Sequence, residues 1–121
     1  MSWDKNELPQ SKQDDDQRKE KSMPIGGDLY PFTDENVNTS PDQPGVYALY
    51  ENGPLIYIGH STTSIRSRFQ DHKSGREGGC TQVANDYRRE VTSRPAARER
   101  ELLDEYYRQY GRLPKCNDVR P

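Results

Sequence analysis

Hydrophobic residues are scarce in this chain of 121 residues: 29% are hydrophobic and 31% are charged. No stretch approaches the roughly 20 consecutive apolar residues that a membrane-spanning helix needs, and the first residues lack the apolar core of a secretion signal. Only two cysteines are present, Cys80 and Cys116, far apart and without a CxxC pair. That pattern argues against a disulfide framework and against a cysteine-based zinc site, and it points to a cytoplasmic protein. The length allows one domain at most. With so little apolar material, part of the chain is expected to stay outside any core.

The shortage is uneven. Residues 1–40 carry nine acidic and five basic residues, a net charge of 5 − 9 = −4, whereas residues 41–121 carry thirteen basic and eleven acidic, a net of +2. The first 28 residues have almost no periodic apolar positions and read as a disordered polar tail. Residues 29–43, "LYPFTDENVNTSPDQ", mix a few apolar residues with turn formers and read as an irregular lead-in. Order is expected from Pro44 to the end of the chain. A net charge of +2 neither excludes nor by itself implies a nucleic-acid partner.

Within that part, "GVYALYE" and "LIYIGH" are rich in strand formers and are separated by the turn signal "NGP", which predicts a β-hairpin. "STTS" can cap a helix, and "IRSRFQDHKSG" spaces Ile65 and Phe69 four apart before stopping at Gly75. A short helix over "TQVANDYRR" and a third strand over "REVTS" are expected next. The clearest helix opens with Pro95, carries Leu102, Leu103, Tyr106 and Tyr110 at helical intervals, and stops at Gly111. "RLPKCNDVRP" reads as an extended tail. The fold class is α+β, a small three-stranded antiparallel sheet flanked by helices.

Tyr47 and Tyr57 fall on neighbouring strands of the hairpin, where they can approach across the ladder, and Gly45 and Gly59 leave room for another backbone or a ligand. A lone strand tyrosine is more often a packing residue. The combination, however, is specific: GVY, nine residues, YIG, a helix with Arg68 and His72, a Glu-rich helix, then Asn117. In this order the motifs resemble the GIY-YIG endonuclease family, with Val in place of Ile in the first triplet, and the resemblance runs from Pro44 to about Asn117.

The resemblance implies a divalent-metal-dependent hydrolysis of DNA phosphodiester bonds, with one Mg²⁺ or Mn²⁺ ion as cofactor and DNA as the substrate partner. It assigns Tyr47 and Tyr57 to the motif tyrosines, at least one of which orients or deprotonates the attacking water. A phenol titrates near about 10, so a basic role needs a nearby cation. Arg68, which directly precedes the apolar Phe69, takes the family's catalytic arginine position and would hold the scissile phosphate. Arg66 lies two residues back, about 200° round the helix, and faces elsewhere. His72, four residues after Arg68, shares its face and is a candidate for proton relay or phosphate contact. His60 follows YIG, where many relatives have Lys.

For the metal, one helix carboxylate suffices when water and substrate phosphate complete the shell. Glu99, Glu101 and Glu105 are the candidates. Glu99 is chosen because Leu102 and Leu103 follow it at the family's spacing, although Glu105 better matches the distance to the terminal Asn. Gly45, Gly59 and Asn117 are supporting residues. Arg66, Lys73 and Arg76 are expected phosphate contacts that carry little sequence information. The rival expectation is a non-catalytic DNA-binding or protein-interaction module on the same scaffold. The acidic tail leaves two uses open, a protein partner or solubility alone.

Overall fold

The computed structural model describes residues 25–117. Strand β1 spans Tyr30–Pro31, helix α1 Asp34–Asn38, β2 Gly45–Tyr50, β3 Leu55–Ser61, α2 Ile65–Lys73, α3 Gly79–Gln82, β4 Asp86–Val91 and α4 Pro95–Tyr110. All pairings are antiparallel, in the order β1-β4-β2-β3. The expected hairpin is β2–β3. Asn52 and Gly53 both take positive φ, as an Asn-Gly turn between right-twisted strands requires, and the Asn85 side chain braces the turn through Asn52.

The sheet has four strands rather than the expected three. The extra one, β1, is a two-residue edge strand ending in proline, too short for any alternation to register. The lead-in expected to be irregular also holds α1, capped by the Thr33 hydroxyl, which accepts from the Asn36 N–H. Strand β4 begins at Asp86, so residues expected to be helical in "NDYRR" are extended, and the helical turn lies before them in α3.

Burial explains both helix layers. Period-two alternation sends Tyr47 and Leu49 to one face of β2 and Val46 and Ala48 to the other. The first face packs with Tyr87 against Ile65 and Phe69 of α2 and Val37 of α1, while the second, with Ile58, packs against Leu102 of α4. Ser64 caps α2, its hydroxyl accepting from the Ser67 N–H. Helix α4 starts at Pro95 and closes with Gly111 in the left-handed region, as its sequence predicts.

Both chain ends differ from expectation. Residues 1–24 and 118–121 of the two expected tails lie outside the described residues. Ile25, assigned to the polar tail, is buried among Val46, Ala48, Ile58 and Leu102. At the other end Pro114 and Cys116 are buried, and the Cys116 N–H donates to the Ile56 carbonyl. The expectation against a disulfide framework is also corrected: Cys80 and Cys116 form a disulfide, their Cα atoms 5.7 Å apart. Sequence separation hid the pairing, because α3 and the chain's end meet only through the tertiary fold.

Candidate active site

Tyr47 and Tyr57 stand on the α2-facing side of the hairpin. They are not directly opposite: Tyr47 pairs with Gly59 and Tyr57 with Leu49, so the phenols are diagonal neighbours, ring centroids 6.1 Å apart. The space left by the glycines is filled by this chain rather than open to a ligand. A Cβ on Gly59 would lie 2.6 Å from both the Tyr47 hydroxyl and the Tyr57 ring, and one on Gly45 would run into the Glu90 carbonyl of β4 and Ile65 of α2.

One turn of α2 separates Phe69, packed edge-on against Tyr47 at 5.0 Å, from His72, whose ring centroid is 5.1 Å from that of Tyr57. His72 is almost wholly buried. Its Nε2 is 2.8 Å from the Tyr47 hydroxyl and its Nδ1 is 2.7 Å from the Thr81 hydroxyl of α3. Burial, joined by the Arg68 charge, pushes its pKa down to about 4 against the weaker pull of Glu77 and Asp71. At neutral pH the ring is therefore uncharged.

Arg68 points from α2 toward the same tyrosines. Its Nη1 donates to Glu77 Oε2 at 2.7 Å, with Asp71 at 3.7 Å. Burial works against the guanidinium charge, but the hydrogen bond to Glu77 and the neighbouring Tyr47 outweigh it, so its pKa is raised. The hydrogen bond to Arg68 in turn holds the Glu77 carboxyl below its usual range. Burial raises the pKa of both phenols. For Tyr47 the neighbouring Tyr57 adds to this, and for both Arg68 acts in the opposite direction.

Strand β3 lies at the edge of the sheet, and the remaining candidates approach it from the other side. His60 points toward α4, its Nδ1 2.9 Å from Glu99 Oε1. The Glu99 charge also acts to raise the Tyr57 pKa, less strongly than burial does. Of the three carboxylates considered, Glu101 binds Arg98 and Glu105 lies by Arg108; Glu99 alone sits beside His60. Asn117 takes the place of a missing neighbour strand: its amide accepts from the Ile58 N–H at 2.8 Å and donates to the Ile58 carbonyl at 2.9 Å. It thereby fixes the strand that carries Tyr57 and Gly59.

The expected phosphate contacts fare unequally. Arg66 donates from Nε to the Ser40 carbonyl, and Lys73 donates to the Phe32 carbonyl while lying over the Phe32 ring. Both hold the lead-in against α2. Arg76 is exposed, with Asp71 at 3.8 Å. Sequence reasoning missed Glu77 and Thr81. Neither stands at a helical or strand interval from a motif residue; Glu77 is carried by a loop whose Gly75 and Gly78 have positive φ.

Among the described residues no group of three or more His, Cys, Asp or Glu is placed to hold a metal. The partly exposed Glu99 carboxylate still fits an ion that takes one protein oxygen and completes its shell with water and substrate. A cavity of about 340 Å³ opens on the opposite face, between α4 and the hairpin turn, lined mainly by apolar and tyrosyl side chains such as Tyr50, Leu55, Leu102 and Tyr106. Of the three candidate carboxylates it holds Glu105, and it contains none of Tyr47, Tyr57, His60, Arg68, His72 and Glu99.

The sequence model of the GIY-YIG catalytic domain matches residues 43–110. The N-terminal endonuclease domain of UvrC from Thermotoga maritima, an asparagine-to-alanine point mutant bound to its catalytic divalent cation, is 23% identical with a TM-score of 0.50, over 71% of this chain and 93% of that one. The same domain bound to magnesium gives 22%, a TM-score of 0.49, and coverage of 69% and 92%. These likenesses concern the fold. No curated protein matches the sequence.

Proposed function

This chain belongs to the GIY-YIG family, and from that premise we propose that it is a divalent-metal-dependent endonuclease that hydrolyses phosphodiester bonds of DNA. The observation that carries the reading is the gathering of Tyr47, Tyr57, Arg68 and His72 on one side of β3, with Glu99 of α4 beside His60 of the same strand. Tyr47 and Tyr57 come from the hairpin, Arg68 and His72 from α2, and Glu99 from α4.

In this reading Arg68 receives the scissile phosphate. Its planar fork pairs with two phosphate oxygens and stabilises the charge that grows on them as water attacks in line with the leaving oxygen. A phosphate there competes with Glu77 for the guanidinium. The attacking water gives its proton to Tyr57 as the phenolate, whose own proton has first left to solvent; Tyr57 is the less buried phenol and the one a water reaches. Burial keeps both phenols protonated when the site is otherwise as described, so proton acceptance calls for positive charge beyond that of Arg68. Glu99 would hold the divalent ion, which when bound supplies that charge and offsets the phosphate's own. His60, whose Nδ1 lies 2.9 Å from Glu99 Oε1, holds the carboxylate beside β3.

The test is cleavage of linear, nicked and branched DNA, and of RNA, with Mg²⁺ or Mn²⁺ and with a chelator. Wild-type protein should cut DNA only with metal. Arg68→Ala and Glu99→Ala should each lower cleavage at least a hundredfold while circular dichroism stays unchanged. DNA binding without products in every condition would refute the nuclease reading in favour of a non-catalytic module.

A further inference from the structure

Arg68 is the group assigned to the scissile phosphate, yet its guanidinium already holds an anion of the chain's own. Its Nη1 donates to Glu77 Oε2 at 2.7 Å, a length typical of charge-assisted hydrogen bonds. The other nearby carboxylate, Asp71, is 3.7 Å away, beyond hydrogen-bonding reach, and also lies 3.8 Å from Arg76. The Glu77 charge acts to raise the pKa of Tyr47, Tyr57 and His72 as well.

What distinguishes Glu77 from the other neighbours of Arg68 is the way it is carried. Tyr47 and Tyr57 are fixed in paired strands and Asp71 in α2. Glu77 is the third residue of the turn Gly75–Gly78, which the Gly78 N–H closes on the Gly75 carbonyl at 2.9 Å, and residues 76–78 are exposed. Both ends of that turn are glycines with positive φ, +82° and +100°, where the backbone can be reset at little steric cost. Glu77 is therefore the partner that can leave while the rest of the site stays in place. A phosphodiester carries the same single negative charge as a carboxylate, so the exchange keeps the guanidinium paired throughout. We propose that Glu77 is a stand-in for the substrate's phosphate: it holds the Arg68 guanidinium in the free protein and swings away on the Gly75–Gly78 turn when a DNA phosphate takes its place. The chain thereby limits the affinity of its own site. The two side chains are 28% and 31% exposed, a setting in which an ion pair is modest, so loss of the competitor should change affinity about two- to fivefold.

The inference rests on the reading of Arg68 as the phosphate-binding residue of a nuclease, and the experiment separates the two. Binding of the full chain to a short fluorescein-labelled DNA duplex is followed by anisotropy in chelator, so that nothing is cut; cleavage of the same duplex is followed with Mg²⁺ or Mn²⁺. Glu77→Gln should bind about two- to fivefold more tightly than wild type, and Glu77→Ala should do the same. Removing a negative charge from any surface strengthens DNA binding to some degree. The proposed exchange acts through Arg68 alone, so the gain should vanish when Arg68→Ala is added to either variant. Equal or weaker binding by both Glu77 variants would overturn the proposal. So would a gain of the same size in the Arg68→Ala background, or a wild-type protein that does not bind the duplex. A wild-type protein that binds but cuts nothing, with the gain confined to proteins that keep Arg68, would instead refute the nuclease reading and leave the exchange standing.

Discussion

Reduction of the Cys80–Cys116 disulfide tests how the far end of the chain is held on the site. The two cysteines are 36 residues apart in sequence. Cross-linking a loop of that length removes conformational entropy from the unfolded chain worth about 4 kcal/mol at 25 °C in the chain-entropy account. Domains of this size have total stabilities of about 5–15 kcal/mol, so the bond accounts for a large share. The loss corresponds to a fall in melting temperature on the order of 20 °C. Local consequences follow from what the bond joins: Cys80 precedes Thr81, and Cys116 precedes Asn117, which satisfies both backbone groups of Ile58. The assay is urea denaturation with and without a phosphine reductant, alongside mass spectrometry that counts free thiols. Two free thiols in oxidising buffer would refute the pairing. An intact disulfide whose reduction leaves the urea midpoint unmoved would refute the entropic reasoning.

Three other outcomes are expected. Gly59→Ala places a methyl 2.6 Å from the Tyr47 hydroxyl and the Tyr57 ring; overpacking of this kind should cost about 1–3 kcal/mol in urea denaturation and abolish cleavage by displacing both phenols. His72 should make stability depend on pH. Its pKa is lowered on folding to about 4, so the unfolded state binds the extra proton; this contribution is complete above about pH 6.5 and is lost as pH falls toward 4, on the order of 3 kcal/mol in all. Thermal midpoints that stay flat across that window would contradict it. Asn117→Ala strips two hydrogen bonds from the outer edge of β3 and should cost about 1–2 kcal/mol, with single-turnover cleavage falling because Tyr57 loses its fixed backbone; equal rates and midpoints would show that water replaces the amide without consequence.

What could be read from the chain itself follows the range of the interactions. The hairpin, α2 and α4 announce themselves through turn residues, caps and apolar periodicity, all set by neighbours a few positions away. The choice of Arg68 over Arg66 came from the family resemblance, which places the arginine directly before an apolar residue; helix geometry adds only that the two face different sides, and the structure has Arg66 on Ser40 and Arg68 on Glu77. Strand β1, the disulfide, and the use of Lys73 as a strut to Phe32 were not legible. Each depends on segments tens of residues apart being brought together, and no local pattern marks them.

The glycine and tyrosine letters of the two triplets show the same distinction at the level of single residues. Their spacing marked a site, and the reading that followed left the glycines as openings for a ligand. In the fold Gly59 is the seat of the Tyr47 hydroxyl, and Gly45 lets β4 and α2 close over the start of β2. Tyr47 thus needs Gly59 to reach His72, and His72 in turn needs Tyr47 and Thr81 to be buried without an unmatched hydrogen. The triplets therefore encode a packing arrangement first. Any chemistry at the site depends on that arrangement, in which Tyr47 is buried and Tyr57, the less buried phenol, is under the opposed influences of Arg68 and Glu99.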